Sequence, residues 1–307
     1  MNYALDALWW KLTDPTVRDL ASLLTAPPLW QSGCELGVRE LLGKRGFRYL
    51  LALDADPAPL TEHLTRRAPF GHRPHRRTCN RLTEHLTRRA PFGHRLGIYA
   101  EELLAFWFAN APHAELLAHN LTVSGSDGNT QGAADFVVRL NGKLYHIELT
   151  CKYYGGGTGR LEDMRGLDPK DTLLGKAAKL TAQLGLPHTS DGIRTLRQHG
   201  LPLDVKPVSI VRGIGFFPQS FHAFEPPLNP YGWRGIYIQD WAEYGFERQE
   251  VRYHLLDRMA YLAPTRAAET ETLNATEIRH IDQGLIAVLE CRPDGFWHEI
   301  ERIMKAV

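Results

Sequence analysis

Apolar positions recur at helical spacing over residues 5–25, at Leu5, Leu8, Trp9, Val17, Leu20, Leu23 and Leu24. Asp14-Pro15 punctuates this run, with Asp14 as N-cap and Pro15 at the first helical position, and Pro27-Pro28 ends it. A second helical stretch is expected near 33–46. A strongly apolar helix begins at Leu96 and carries Tyr99, Leu103, Leu104, Phe106, Trp107 and Phe108, ending near Asn110-Ala111-Pro112. Three β-like runs follow, at 121–123, 136–140 and 144–154. Asn141-Gly142 separates the last two and predicts a tight hairpin, and the glycines at 155–157 close the third. A helix is expected over about 169–184, with Asp168 as cap, then a strand at 206–217. Beyond these the pattern predicts a strand at 235–239, aromatic helices around Trp241 and over 255–262, and a strand at 284–291 followed by a helix at 295–305.

From 96 to 217 the predicted order is helix, three strands, helix, strand. The first connections are short enough for antiparallel pairing. The later helix is a crossover, right-handed if the strands it joins are parallel. One core with elaborations at both ends is the simplest organisation: 1–59 a helical segment, 60–95 a basic insert, 96–217 the α/β core, and 218–307 an α+β elaboration packed on it.

The insert is a verbatim duplication. LTEHLTRRAPFGHR stands at 60–73 and again at 82–95. Solenoids need at least three units, and their repeats diverge. One copy is therefore expected to be an addition with no role in the core. The region holds nine arginines and five histidines against two glutamates. Arg88 and Arg89 are candidates for a phosphate-binding patch, with a solvated basic insert as the competing reading. His72, His75, Cys79 and His85 are zinc-type residues without a recognised spacing.

Composition narrows the class. The chain has 307 residues, 43% apolar and 23% charged, with a net charge of +1, so it reads as a soluble globular protein and not as a polycation. A nucleic-acid partner would need a local patch. No run of about 18 apolar residues predicts a membrane span. The start MNYALDALWWKL lacks the layout of a signal peptide. The four cysteines show no C-x-x-C spacing, which favours a reducing cytoplasm over a disulfide framework. Oligomeric state is not legible.

The candidate chemistry lies at 135–152. Asp135 begins the second strand. On the third, Glu148, Thr150 and Lys152 share one face, with Ile147, Leu149 and Cys151 on the other. A hairpin at Asn141-Gly142 sets Asp135 opposite Glu148, give or take a residue. Two adjacent carboxylates repel unless a hard cation such as Mg²⁺ or Mn²⁺ sits between them. Glu101, on the preceding helix, is a further candidate ligand. Lys176 and Gln183 on the next helix are candidates to flank a substrate groove. The glycine run at 155–159 lacks the lysine of a phosphate loop and reads as a turn.

This arrangement resembles the PD-(D/E)XK nuclease core, in which an aspartate on the second strand and Glu-x-Lys on the third bind a divalent metal and cleave phosphodiesters. The resemblance implies Asp135 and Glu148 as metal ligands, Glu101 as a helical carboxylate and a restriction-endonuclease-like fold with a mixed central sheet flanked by helices. The chain departs from it at Thr150, where the lysine is expected. Lys152 lies two residues further on, about 13 Å from Glu148 along an ideal strand. VRDLASLL, RLGIYAEELLAFW, IELTCKYY, GLDPKDTLLGKAAKLTAQL and RMAYLAP are similar to an uncharacterised bacterial family, domain of unknown function 1853, whose members share E-x-x-x-K on this strand. Three functions stay open on the sequence: a metal-dependent nuclease using Asp135, Glu148 and Lys152, a nuclease scaffold that binds nucleic acid without turnover, and a structural or protein-interaction role.

Overall fold

The computed structural model describes residues 11–67, 92, 95–221, 224–246, 248 and 250–307. Arg88, Arg89, His72, His75, Cys79, His85 and the start of the first predicted helix lie outside the described residues. Helix α1 spans Pro15–Thr25, and Asp14 caps it by accepting from the N–H groups of Thr16 and Val17, as its sequence predicts. The stretch expected as one helix near 33–46 is two, α2 (Val38–Leu42) and α3 (Gly46–Ala55). Gly43, at φ +56°, breaks them apart. Helix α4 (Ala58–Arg67) leads toward α5 (Leu96–Asn110).

Three long strands follow: β1 (Ala114–Ser124), β2 (Thr130–Leu140) and β3 (Lys143–Gly155). Asn141, at φ +50°, and Gly142 form the turn between the last two. Helix α6 (Leu173–Gly185) is shorter than predicted. Its cap is Thr172, because Asp168 closes a local turn by accepting from the N–H of Lys170. Then come α7 (Ser190–Gln198), β4 (Lys206–Phe217) and β5 (Arg234–Ile238).

The C-terminal third is more β-rich than its pattern predicts. The residues near 255–262 form β6 (Arg252–Leu255) and a single 3₁₀ turn, and Trp241 starts another such turn. A short β7 (Arg266–Ala267) and helix α8 (Ala275–Ile278) precede β8 (Gly284–Cys291) and β9 (Trp297–Lys305), the latter expected as a helix. A register shift between Val288 and Leu289 turns Glu299 and Arg302 to one side, where they form a buried pair at 2.7 Å. That i, i+3 coincidence imitates helical spacing.

The nine strands among the described residues join one mixed sheet, in the order β1-β2-β3-β4-β5-β9-β8-β6, with β7 on β9. β1, β2 and β3 pair antiparallel, and β3, β4, β5 and β9 run parallel. On one face α1 and α5 cover Phe136, Val138, Ile147 and Leu149. On the other, Leu173, Leu180 and Leu184 of α6 pack on Tyr154, Val211 and Phe217. The chain is thus a mixed α/β protein with helices flanking a central sheet.

The duplication enters this core from both copies. Leu60 and Leu64 of the first are buried on α4. Phe92 of the second is also buried, its ring 5.5 Å from that of Tyr99. The expectation that one copy stands wholly outside the core is therefore corrected: a helix from one and a phenylalanine from the other serve it together.

Candidate active site

The β2–β3 ladder runs from Leu140–Lys143 to Phe136–Ile147. Past that pair β2 continues only with β1 and β3 only with β4, so the two strands part. Asp135 and Glu148 stand where they diverge. Their side chains replace the missing ladder: the N–H of Asp135 donates to Glu148 Oε1 at 3.3 Å, and the N–H of Leu149 donates to Asp135 Oδ2 at 2.8 Å. The sequence reading that sets these residues opposite one another therefore holds.

Glu148 is 1% exposed. Its Oε1 also accepts from His146 Nε2 at 2.7 Å, while its Oε2 is buried with no hydrogen-bond partner. Burial, then the charge of Glu148, then that of Glu101 push the Asp135 carboxyl up to about 8, against the hydrogen bond from Leu149 and the ammonium of Lys176. Glu101 is raised as well, first by burial and then by Glu102 and Glu148, with the Asn120 amide and Lys176 opposing. Burial, Lys152 and Lys179 lower Lys176, and Asp135 and Glu148 act the other way. Three carboxylates and one ammonium thus form a single electrostatic unit.

Lys152 has a different immediate partner. Its Nζ lies 2.5 Å from Asp171 Oδ2, and the other oxygen of Asp171 accepts from the Tyr154 hydroxyl at 2.9 Å. Glu102, the neighbour of Glu101, pairs with His63 of α4 at 3.1 Å and ties two helices together. Glu101, Thr150, Lys152, Asp171, Lys176 and Arg258 help to line a cleft of about 310 Å³. Asp135 and Glu148 do not line this cleft, and Gln183, two turns along α6 from Lys176, is not on its wall either.

Among the described residues no group of three or more His, Cys, Asp or Glu side chains forms a metal-holding cluster. Hard cations, however, are commonly held by one or two carboxylates plus water and substrate oxygens. The unpartnered Glu148 oxygen and the repelling Asp135 carboxyl have the chemistry of such a donor pair. His146 was missed in the sequence although it stands two residues before Glu148 on the same strand face, a period-2 signal. Asp171 carried no local signal, since its partners Lys152 and Tyr154 are distant in sequence.

Fold and site together define a mixed α/β protein with a strained carboxylate pair at the parting of two central strands. The chain belongs to the family of the domain of unknown function DUF1853, whose model matches residues 18–305. It matches no curated protein and no solved structure. Among the described residues no helix is long and apolar enough to cross a membrane.

Proposed function

We propose that this chain is a metal-dependent phosphodiesterase acting on nucleic acid, built on a restriction-endonuclease-like core of the PD-(D/E)XK kind. The observation that carries the reading is the pair Asp135–Glu148, two largely buried carboxylates on diverging strands, one with an unpartnered oxygen. The order α5, β1, β2, β3, α6, α7, β4, with β4 parallel to β3, supports the scaffold.

Asp135 and Glu148 would hold Mg²⁺ or Mn²⁺ as a carboxylate pair, and Glu101, which does not gather with them into a three-residue group, would act on them through its charge. When bound, the ion supplies Lewis-acid polarisation of a phosphoryl oxygen and a more acidic water. His146 orients the Glu148 carboxylate through Oε1 and leaves Oε2 for the ion. Lys176 faces the same carboxylates and would stabilise negative charge that develops on the phosphate. Lys152 would reach a substrate phosphate at the cleft wall by exchanging Asp171 for it. Gln183 would contact the nucleic acid beyond the cleft wall, and Arg88 and Arg89, outside the described residues, are further candidates for phosphate binding.

The test is cleavage of end-labelled DNA and RNA with Mg²⁺, with Mn²⁺ and with EDTA, comparing the wild type with Glu148→Ala. Metal-dependent cleavage abolished by the substitution is expected. Cleavage equal in both proteins would overturn the assignment. A second reading, binding without turnover, draws on the off-wall position of Asp135 and Glu148. Metal-independent binding with no cleavage under any condition would select it.

A further inference from the structure

Beyond Ile147, β3 has lost β2 and keeps only β4 as a neighbour. The N–H of Leu149 points to the side that β2 has left, as its bond to the Asp135 side chain shows. Gly155 faces the same way, exchanging main-chain bonds of 2.8 and 2.9 Å with Arg165. Alternate residues of a strand turn their N–H and C=O groups to the same edge, so those of Cys151 and Tyr153 point there too. The intervening Lys152 turns its carbonyl to Gly213 of β4. Among the described residues no partner meets the main-chain groups of Cys151 and Tyr153. Both residues line the cleft of about 310 Å³. The open edge is thus two outward residues long and blocked at each end, too short to accept a peptide strand.

The other walls define what does fit. Lys176 and Arg258 stand on the cleft with no ion pair or hydrogen bond among the described residues, whereas Lys152 is already paired with Asp171. The side chain of Thr150, also on the wall, is 2% exposed, and its hydroxyl has no partner. Tyr153 and Tyr261 meet edge to face with ring centroids 5.2 Å apart, and the Tyr153 hydroxyl donates to the Tyr261 carbonyl, which fixes the pair. Two unpaired cations and a hydroxyl suit a phosphate. Adjacent N–H and C=O groups suit the edge of a nucleobase, which presents acceptors and donors side by side, and a tyrosine ring suits its face. The volume lies at the small end of the roughly 300–1,000 Å³ typical of small-molecule sites, room for a single nucleotide and not for a length of chain.

We propose that this cleft is a subsite for one phosphorylated nucleoside, its phosphate on Lys176 and Arg258 and its base edge on the main chain of Cys151 and Tyr153. A free nucleotide and the end of a nucleic-acid chain share this chemistry. The choice of a chain end rests on the phosphodiesterase reading above; the cleft itself needs no metal.

The test is calorimetry in EDTA with nucleoside 5′- and 3′-monophosphates, ribose 5-phosphate and inorganic phosphate. The mononucleotides are expected to bind, and the two probes without a base at least about 10-fold more weakly, through loss of the hydrogen bonds and the stacking. Arg258→Gln changes an exposed side chain and is expected to weaken mononucleotide binding about 10-fold or more with an unchanged melt. Gly97, in the first turn of α5, lines the cleft and has open space where a Cβ would go, so Gly97→Phe is expected to fold normally and abolish binding. Displacement of the mononucleotide by a phosphorylated linear oligonucleotide, and not by a circular one, would identify a chain end as the source. Displacement by neither would identify a free nucleotide. Equal affinity for inorganic phosphate and mononucleotides, wild-type binding in Gly97→Phe, or no mononucleotide binding would overturn the subsite, and metal-dependent cleavage lost in Glu148→Ala would then still uphold the phosphodiesterase reading. Mononucleotide binding by a protein that never cleaves would instead remove that reading and keep the subsite.

Discussion

Asp135→Asn removes a charge that the fold holds at a disadvantage, and it does so almost without changing shape. Burial, then the charge of Glu148 and that of Glu101, push the carboxyl up to about 8, far above an ordinary aspartate. An acid whose folded pKa is raised keeps its proton in the native state over a range where the unfolded chain has released it. Stability contributed by this group is therefore greatest below pH 4, falls as pH rises toward 8, and is fully lost above that. The change in proton affinity has a ceiling on the order of 6 kcal/mol, at about 1.4 kcal/mol for each factor of ten. Relaxation around the charge, and its sharing with Glu148, reduce this to roughly 2–3 kcal/mol. At an unfolding entropy of about 2 cal/mol/K per residue, that corresponds to roughly 3–5 °C. The assay is thermal unfolding in EDTA from pH 5 to 9. The wild type is expected to lose stability relative to Asp135→Asn as pH rises, with the variant the more stable protein at pH 8.5. The asparagine carbonyl can still accept from the N–H of Leu149, so the local ladder survives. Mn²⁺ is expected to restore the wild type and not the variant. Parallel pH profiles for the two proteins would refute the reasoning, and so would a variant less stable at pH 8.5.

Other consequences can be checked on stability alone. Deleting residues 68–89, one full period of the duplication, rejoins Arg67 to Ala90 and restores a single uninterrupted copy; a cooperative melt like that of the full chain is expected, and an unfolded product would show that both copies are required. Gly213, at φ +135°, faces the main chain of Lys152 so closely that an added Cβ would lie 1.6 Å from its carbonyl oxygen. Gly213→Ala should therefore force β4 from β3 beside the site and destabilise by more than about 2 kcal/mol, measured by denaturant unfolding. Arg302→Met removes the cation from the buried Glu299 carboxylate, which accepts from the guanidinium at 2.7 Å and keeps the Thr265 N–H. A loss of about 3–5 kcal/mol is expected, and near-neutral unfolding would show that the carboxylate does not depend on the guanidinium.

How far the sequence could be read follows from where each signal resides. The β2–β3 hairpin was legible because Asn141-Gly142 and the alternation around Glu148 are local, and the two fix the register that brings Asp135 to Glu148. Helices α1 and α5 were legible for the same reason, the first through its cap and the second through its continuous apolar run. β9 was misread because its bulge gives Glu299 and Arg302 a helical separation. Only the facing strand β8 reveals that the pair lies inside. The start of α6 was misplaced because Asp168 and Thr172 are equally good caps in isolation, and the turn at Lys170 decides between them. Asp171 was invisible as a site residue because its partners, Lys152 and Tyr154, meet it only once β3 and the loop before α6 are in place.

The displaced lysine can be understood on the same terms. With Thr150 in the place where the resemblance expects an amine, Lys152 is the next side chain on that face of β3. The structure directs its ammonium to Asp171, at the edge of the loop that precedes α6. Asp171 also holds the Tyr154 hydroxyl, so Lys152 and Tyr154 together fasten that loop against β3. The same loop leads into Thr172, the cap of α6, and one turn further on α6 carries Lys176 toward Asp135 and Glu148. The lysine four residues after Glu148 thus anchors the segment that delivers another ammonium to the carboxylates. Neutralising the two lysines should accordingly have different effects. Lys176→Met is expected to raise the Asp135 pKa further while leaving the melt at pH 5 intact. Lys152→Met is expected to loosen the 166–172 loop, seen as faster amide exchange there, and to weaken the influence of Lys176 only indirectly. Equal shifts of the Asp135 titration in both variants, followed by carboxyl NMR, would show that Lys152 acts on the carboxylates directly and that the loop is not its intermediary.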